Sequence, residues 1–482
     1  MSRPRTCAVA NPELEAAIKG TGCGYASIAA TINAVAAEDG TMLRCAAQTL
    51  GKWLNGAIPL PATMAYAVEA FARLLDRPGL APADLGWPPN VPAAPEDPWR
   101  GDPVALLTRI GREDMLDRRT TLTAGLYSLA AATMPDRLRR MASRPGEDRR
   151  AGASDIARIR ETTKQFGRLD DLYGGGHGRV AVAAYITHEV TPLLRGTTGK
   201  ARPELFVAAA ELAYLAAWMA ADASRAGTAQ QYYVQAARLA DEAGDPLMRA
   251  CALRGLAVQA VELGHDRQAH DLAEAAAEGI SGGAPLRTRA WITGMRAETL
   301  AAADRDRNRA FTLLREAESY LEKAESQSER WPGNYQPSSY QHQMGLTLAQ
   351  LGDLKSAEQH FAASVRAREP GERRSRALIG ARLAHIQVRR RQPDEAAYTL
   401  LGIASDLKVV SSGRIDLLVT QIRAAWQPYR GNTQVRKADK MLAGLRGLSS
   451  NRTENGVSES ARAELPPLAV RMRVERTSGR IL

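Results

Sequence analysis

Aromatic residues make up only 5% of the 482-residue chain, and cysteine occurs four times. Sheets favour aromatic and β-branched side chains; this chain is instead rich in alanine, with abundant Leu, Arg and Glu that favour helix. An all-α fold is expected. Cys7, Cys23, Cys45 and Cys251 form no C-x-x-C, and no histidine stands beside them at ligand spacing. That argues against a zinc site and a disulfide scaffold, and a reducing, cytoplasmic compartment is expected. The apolar runs fall short of the roughly 18 to 20 uncharged residues of a membrane helix, so no membrane association is expected. The opening MSRPRTCAVANPELEAAI lacks the continuous apolar stretch of a secretion signal.

Catalytic patterns are missing too. The seven histidines are scattered, and His265 and His270 stand five apart, not the three or four that share a helix face. No HExxH and no nucleophile–histidine–acid pattern occurs. The stretch from Tyr173 through Gly174, Gly175, Gly176, His177 and Gly178 to Arg179 lacks the Lys-Ser/Thr of a phosphate loop and follows no strand. It reads as a tight connection between helices. Asp117 to Leu122 imitates a twin-arginine signal more than a hundred residues into the chain, where such signals are not read, so a capped helix is expected. The chain is read as not an enzyme, with no catalytic residue, metal or cofactor.

What is present is ordinary for a globular protein: 45% hydrophobic and 24% charged residues, which excludes wholesale disorder. The length suggests two to four domains. The net charge of +11 comes from 64 Lys+Arg against 53 Asp+Glu. Residues 1–90 carry none of that excess. Their seven bases (Arg3, Arg5, Lys19, Arg44, Lys52, Arg73, Arg77) face seven acids (Glu13, Glu15, Glu38, Asp39, Glu69, Asp76, Asp84). Basic excess invites a nucleic-acid reading, but here it lies downstream, as in DRLRRMASRPGEDRR and VRRR.

Four segments follow. Residues 1–86 read as a helical domain: a helix opened by Asn11-Pro12 and ended at Gly20, a second from about Tyr25 to Ala37, a third from about Leu43 to Leu54, and a fourth from about Ala62 to Leu75. Residues 87–153 read as a Pro-rich linker, WPPNVPAAPEDPW, followed by connecting helices over about 103–134. Residues 154–448 read as successive helices, and 449–482 as a disordered tail.

Inside 154–448 a repeat stands out. A small residue, usually with a larger one four later and a second small one seven later, recurs as Ala229/Tyr233/Ala236, Ala269/Ala273/Ala276, Ala310/Leu314/Ala317, Ala357/Phe361/Ser364 and Ala396/Leu400/Ile403, with Ala273 and Ile403 imperfect members. Their first members are spaced 40, 41, 47 and 39 residues apart. Each unit reads as a helical hairpin whose small residues let two helices approach, and stacked hairpins bury the remaining apolar faces. The pattern resembles the tetratricopeptide repeat, though with a period longer than that family's, about 34 residues. Such solenoids carry a concave groove, lined here near Tyr214, Trp218, Trp291, Tyr340 and Gln343.

The segment from Tyr25 to Gly56 has the layout of a helix-turn-helix, whose second helix enters the major groove. Arg44, Gln48, Thr49 and Lys52 are expected on its outer face; Gln suits adenine, Thr a thymine methyl or phosphate, and Arg or Lys guanine or phosphate. Tyr25 and Ser27, opening the preceding helix, would donate to the DNA backbone. Read as ordinary surface, the same residues belong to a small four-helix domain with no DNA activity.

The run ASIAATINAVAAEDGTMLRCAAQTLGKWLNGAIPLPATMAYAVEAFARLLDRPGLAPADLGW resembles the N-terminal domain of a group of actinobacterial regulators. These join a phage-repressor-like helix-turn-helix to tetratricopeptide repeats, and some act as negative regulators of differentiation and antibiotic production. The resemblance rests on Trp53-Leu54-x-Gly56-x-x-Pro59, on Pro82-x-Asp84-Leu85-Gly86, and on the stretches 159–186 and 215–245, and covers about 11–430. One departure is Cys45-Ala46-Ala47 at the start of the third helix, where basic or acidic residues are usual. The resemblance implies a cytoplasmic transcriptional regulator, a repressor of development or secondary metabolism, that binds double-stranded DNA as a homodimer. Its repeat domain would dimerise or sense a signalling peptide or protein in the groove. An interaction scaffold without DNA binding is the alternative.

Overall fold

The computed structural model describes residues 11–38, 41–88, 99–115, 150–280, 282–324 and 335–453. The described residues form helices joined by turns, with no strand among them. Helix α1 (Pro12–Thr21) is capped by the Asn11 side chain, which accepts from the Leu14 N–H at 2.9 Å. It ends at Gly22 (φ 63°), not at Gly20 as expected. α2 (Tyr25–Glu38) buries Ile28, Ile32 and Val35. α3 (Ala47–Leu54) starts four residues later than the sequence suggests. The cause is the Asn33 carboxamide: its Nδ2 donates to the Cys45 carbonyl (2.8 Å) while its Oδ1 accepts from the Cys45 N–H (2.7 Å). This reciprocal pair holds residue 45 out of helix, alongside α2, so the helix begins only after Ala46.

α4 (Pro61–Leu74) completes the unit. Leu14, Ile32, Leu50, Trp53, Phe71 and Trp87 share one core, with the Trp53 and Trp87 rings edge to face at 5.5 Å. Arg73 ties α4 to α2, gripping both carboxylate oxygens of Glu38 (2.6 and 2.9 Å) and also Glu69 (2.9 Å). Trp87 thus belongs to the first core. Trp99 and α5 (Pro103–Met115) belong to a second. The Asp117–Leu122 stretch and the rest of the helix expected to about 134 lie outside the described residues.

The second body opens with α6 (Ala153–Tyr173), α7 (Gly175–Tyr185), a wide turn at Ile186–Val190, and α8 (Thr191–Gly196). Five helix pairs follow: α9/α10 (Ala201–Asp222, Ala226–Ala243), α11/α12 (Pro246–Glu262, Asp266–Glu278), α13/α14 (Leu286–Ala303, Arg307–Lys323), α15/α16 (Pro337–Gln350, Leu354–Arg366) and α17/α18 (Arg373–Arg389, Pro393–Gly402). The three-residue links make each pair an antiparallel hairpin. α9 is long and apolar enough to cross a membrane by length and composition. Glu204 and Glu211 interrupt the run without making it polar. Here 83% of its most apolar stretch is buried inside the protein.

One backbone detail marks the period. Each link contains a residue with positive φ: Ser224, Gly264, Arg305, Gly352 and Arg391. Each stands five residues before the first member of its triplet, so the same left-handed turn launches every second helix. All five triplets are buried, on those second helices except for Ile403, which follows the end of α18. Two of their larger members press onto glycines of the paired or following helix: a Cβ on Gly255 would sit 2.7 Å from Tyr233 Cδ1, and one on Gly345 2.7 Å from Phe361 Cδ1.

The series turns back on itself. After α18 the chain passes Ser411 and enters α19 (Gly413–Ala425); α17 packs on α6, and α19 on α9. The Ser411 N–H donates to the Tyr173 carbonyl (2.7 Å), and the Gly176 N–H to the Ser411 carbonyl (3.2 Å). Fully buried Asp222, at the end of α9, accepts from the Gly175 N–H (2.9 Å) and Ser412 Oγ (2.7 Å). Gly174 takes φ 81°, and Gly175 lies against the Met219 backbone. The glycine-rich stretch is therefore a tight connection, and its helix start is occupied by the protein's own carboxylate. A final helix, α20 (Thr433–Thr453), runs five residues into the segment expected to lack structure.

Candidate functional site

Two features are candidates: the outer face of α3 and the space lined by the helix pairs. α3 buries Leu50, Trp53 and Leu54 and leaves Gln48 and Lys52 exposed, one turn apart. Thr49 is half-buried, and its Oγ1 accepts from the Ala46 N–H at 3.3 Å. It caps the helix. Arg44 is exposed but lies in the extended link rather than on the helix, a correction that follows from the Asn33–Cys45 pairing. Tyr25 and Ser27 are exposed in the first turn of α2. Apolar side chains flank α3 on both sides in sequence: Met42 is 84% exposed, Ile58 58% and Leu60 75%.

The helix pairs line a half-open cavity of about 1060 Å³, at the upper end of small-molecule sites. The first helix of each pair lines it, with α6 and α19 closing the circuit. Its wall carries eight Arg and Lys side chains (Arg160, Lys164, Arg168, Arg254, Arg368, Arg374, Arg382, Arg414) and six carboxylates (Asp170, Asp171, Glu204, Glu211, Glu262, Glu298). Val207, Leu215, Val258, Leu346, Leu378 and Ile379 supply an apolar share.

Four of the five groove residues inferred from sequence meet in this cavity: Tyr214, Trp218, Trp291 and Gln343. The Tyr214 ring stands edge-on to Trp291 (6.4 Å). The guanidiniums of Arg374 and Arg414 each lie 5.2 Å from the centre of the Trp218 ring. Gln343 accepts from Arg254 (3.4 Å) and donates to Glu298. Tyr340 is not among the lining residues; its hydroxyl donates to the Leu314 carbonyl (3.1 Å) of the preceding pair.

The charged wall is not apparent from the sequence. Arg254 lies 3.9 Å over the Trp291 ring and donates to that residue's carbonyl (3.2 Å). Arg382 and Arg414 both donate to the same oxygen of Glu262, Arg382 at 2.7 Å. Arg382 also donates to His342 Nε2 (2.6 Å). Burial, with Arg382 beside it, holds His342 well below the usual imidazole range, so it is neutral with the proton on Nδ1. Burial pushes the Glu298 carboxyl up to about 7, against the pull of Arg382 and Arg254. Arg374 reaches Asp170 (3.1 Å) and Asp171 (3.3 Å) on α6. The signal for these residues was a lone charge within an apolar helix, as in CALRGLAVQA and ALIGARLAHIQV.

Against known proteins, residues 14–88 match the family model described as the SP15 N-terminal domain, the stretch from α1 to the Trp87 that closes the first core. No curated protein and no solved structure matches the chain.

Proposed function

We propose that the chain is a cytoplasmic, dimeric DNA-binding regulator of transcription. In this reading the N-terminal unit is the helix-turn-helix domain, the five stacked pairs are tetratricopeptide-like repeats, and their cavity receives a ligand that shifts how two DNA-binding units are paired. The observation that carries it is the pair Gln48 and Lys52, presented one turn apart on a short helix that packs against α2. A glutamine suits adenine edges and a lysine guanine or phosphate. The resemblance to repeat-containing actinobacterial repressors supports repression of development or secondary metabolism as the role.

A genomic DNA pull-down with the full chain should enrich one palindromic site. Loss of a specific base contact costs about 1–3 kcal/mol, so Gln48→Ala should weaken that site roughly 5- to 100-fold. Lys52→Ala should weaken all sequences together and lower the salt slope by about one. No enriched site, or unchanged affinity in both variants, sinks the reading.

A scaffold without DNA activity has one observation in its favour: exposed Met42, Ile58 and Leu60 beside α3, an apolar surface suited to a protein. Under that reading no DNA is retained above background.

A further inference from the structure

Two guanidiniums, Arg382 and Arg414, share one oxygen of Glu262. With Arg254 they make three guanidiniums against two carboxylates, Glu262 and Glu298, a local surplus of positive charge between α11, α13, α17 and α19. Arg254 nearby donates to a carbonyl and a carboxamide, which carry no charge. Buried charge without full compensation is costly, so this part of the wall is built to accept a negative group. A second observation points the same way. Tyr335 lines the cavity, is 3% exposed, and its buried hydroxyl has no hydrogen-bond partner. It occupies space that a side chain at Gly294 would take, since a Cβ there would lie 3.0 Å from it. A buried, unpartnered O–H is a donor waiting for an acceptor.

We propose that the cavity binds a small amphiphilic organic anion, its acidic group held by Arg254, Arg382 and Arg414 with the Tyr335 hydroxyl donating, and its apolar body against Val258 and Leu346. The inference rests on the cavity being the regulator's sensing site, but not on DNA binding.

The test is a fluorescence titration of the full chain with anilinonaphthalene sulfonate, an aromatic organic anion, beside N-phenylnaphthylamine, a similar molecule without the charge. The sulfonate should bind saturably, one per chain, and at least tenfold tighter than the neutral dye. Arg382→Gln should weaken it about tenfold, the scale of a charge-assisted hydrogen bond. Glu262→Gln, which removes the competing carboxylate, should tighten it. Tyr335→Phe breaks no ion pair and should weaken it about threefold, so the test stands even where Arg382→Gln fails to fold. Equal affinity for both dyes, or Tyr335→Phe and folded Arg382→Gln both matching the unaltered chain, overturns the proposal. Gln48→Ala leaves the dye titration unchanged, so failure of DNA recognition and failure of anion binding are read separately.

Discussion

Closure of the helical series depends on a place where no side chain fits. A Cβ on Gly175 would lie 2.8 Å from Met219 Cα and closer still to the Met219 carbonyl oxygen. Both are backbone atoms in the last turn of α9, which Asp222 anchors, so the start of α7 must give way. Overpacking of this kind costs about 1–3 kcal/mol. Moving α7 also stretches the Gly175 N–H to Asp222 bond, and a bond to a buried charge is worth about 1.5–3 kcal/mol. Against this stands the helix preference of alanine over glycine, at most about 1 kcal/mol. Gly175→Ala should therefore lose about 2–4 kcal/mol, which lowers the melting temperature of a unit this size by roughly 3–6 °C. Gly178, one turn along the same helix, is the control. Its Cβ would meet only the flexible Met219 Cε at 3.5 Å, so Gly178→Ala should gain about 0.5–1 kcal/mol. Thermal melts by far-UV circular dichroism of the two variants decide the matter. If Gly175→Ala melts within about 1 °C of the unaltered chain, or both variants fall together, the close approach at Met219 is not what positions α7.

Two more predictions follow from the same geometry. At the repeated left-handed turns, Arg305→Gly should raise stability by about 0.5–1 kcal/mol, whereas Gly264→Ala, with nothing within 4 Å of the added Cβ, should lose about 1 kcal/mol; urea denaturation that shows the same sign for both refutes the turn assignment. Burial raises Glu298 from 4.5 to about 7 in the folded protein. The folded chain then keeps a proton that the unfolded chain releases, so this group's contribution falls as pH rises from about 4.5 to 7, by up to about 3 kcal/mol. Glu298→Gln should be more stable than the unaltered chain at pH 8 and nearly equal to it at pH 4, and denaturation curves that run parallel across that range refute the placement.

The helices were legible because their determinants are local. Asn11-Pro12 caps α1, Ile28, Ile32 and Val35 stripe α2, and the triplets from Ala229 to Ile403 recur at intervals that fix one turn and one buried face each. Legibility ended where a long-range contact overrode a local pattern. Leu43 to Ala46 read as helix, but Asn33, twelve residues before Cys45, claims the Cys45 backbone on both sides. Aromatics in the groove were found because large side chains on first helices point inward at a predictable period. The arginines were not, because their role is set by what faces them: Glu262 is separated from Arg382 by 120 residues and from Arg414 by 152, and Arg374 from Asp171 by 203. Nothing in the text of one helix says that the series will curve until α17 meets α6. That curvature accumulates from small rotations between neighbouring pairs, each set by how deeply Tyr233, Leu314 or Phe361 seats against its neighbour. Closure, and with it a charged wall around one cavity, is thus a sum over all five pairs. A change at any triplet should be felt at the Gly175–Ser411 junction, where the sum has to come out right.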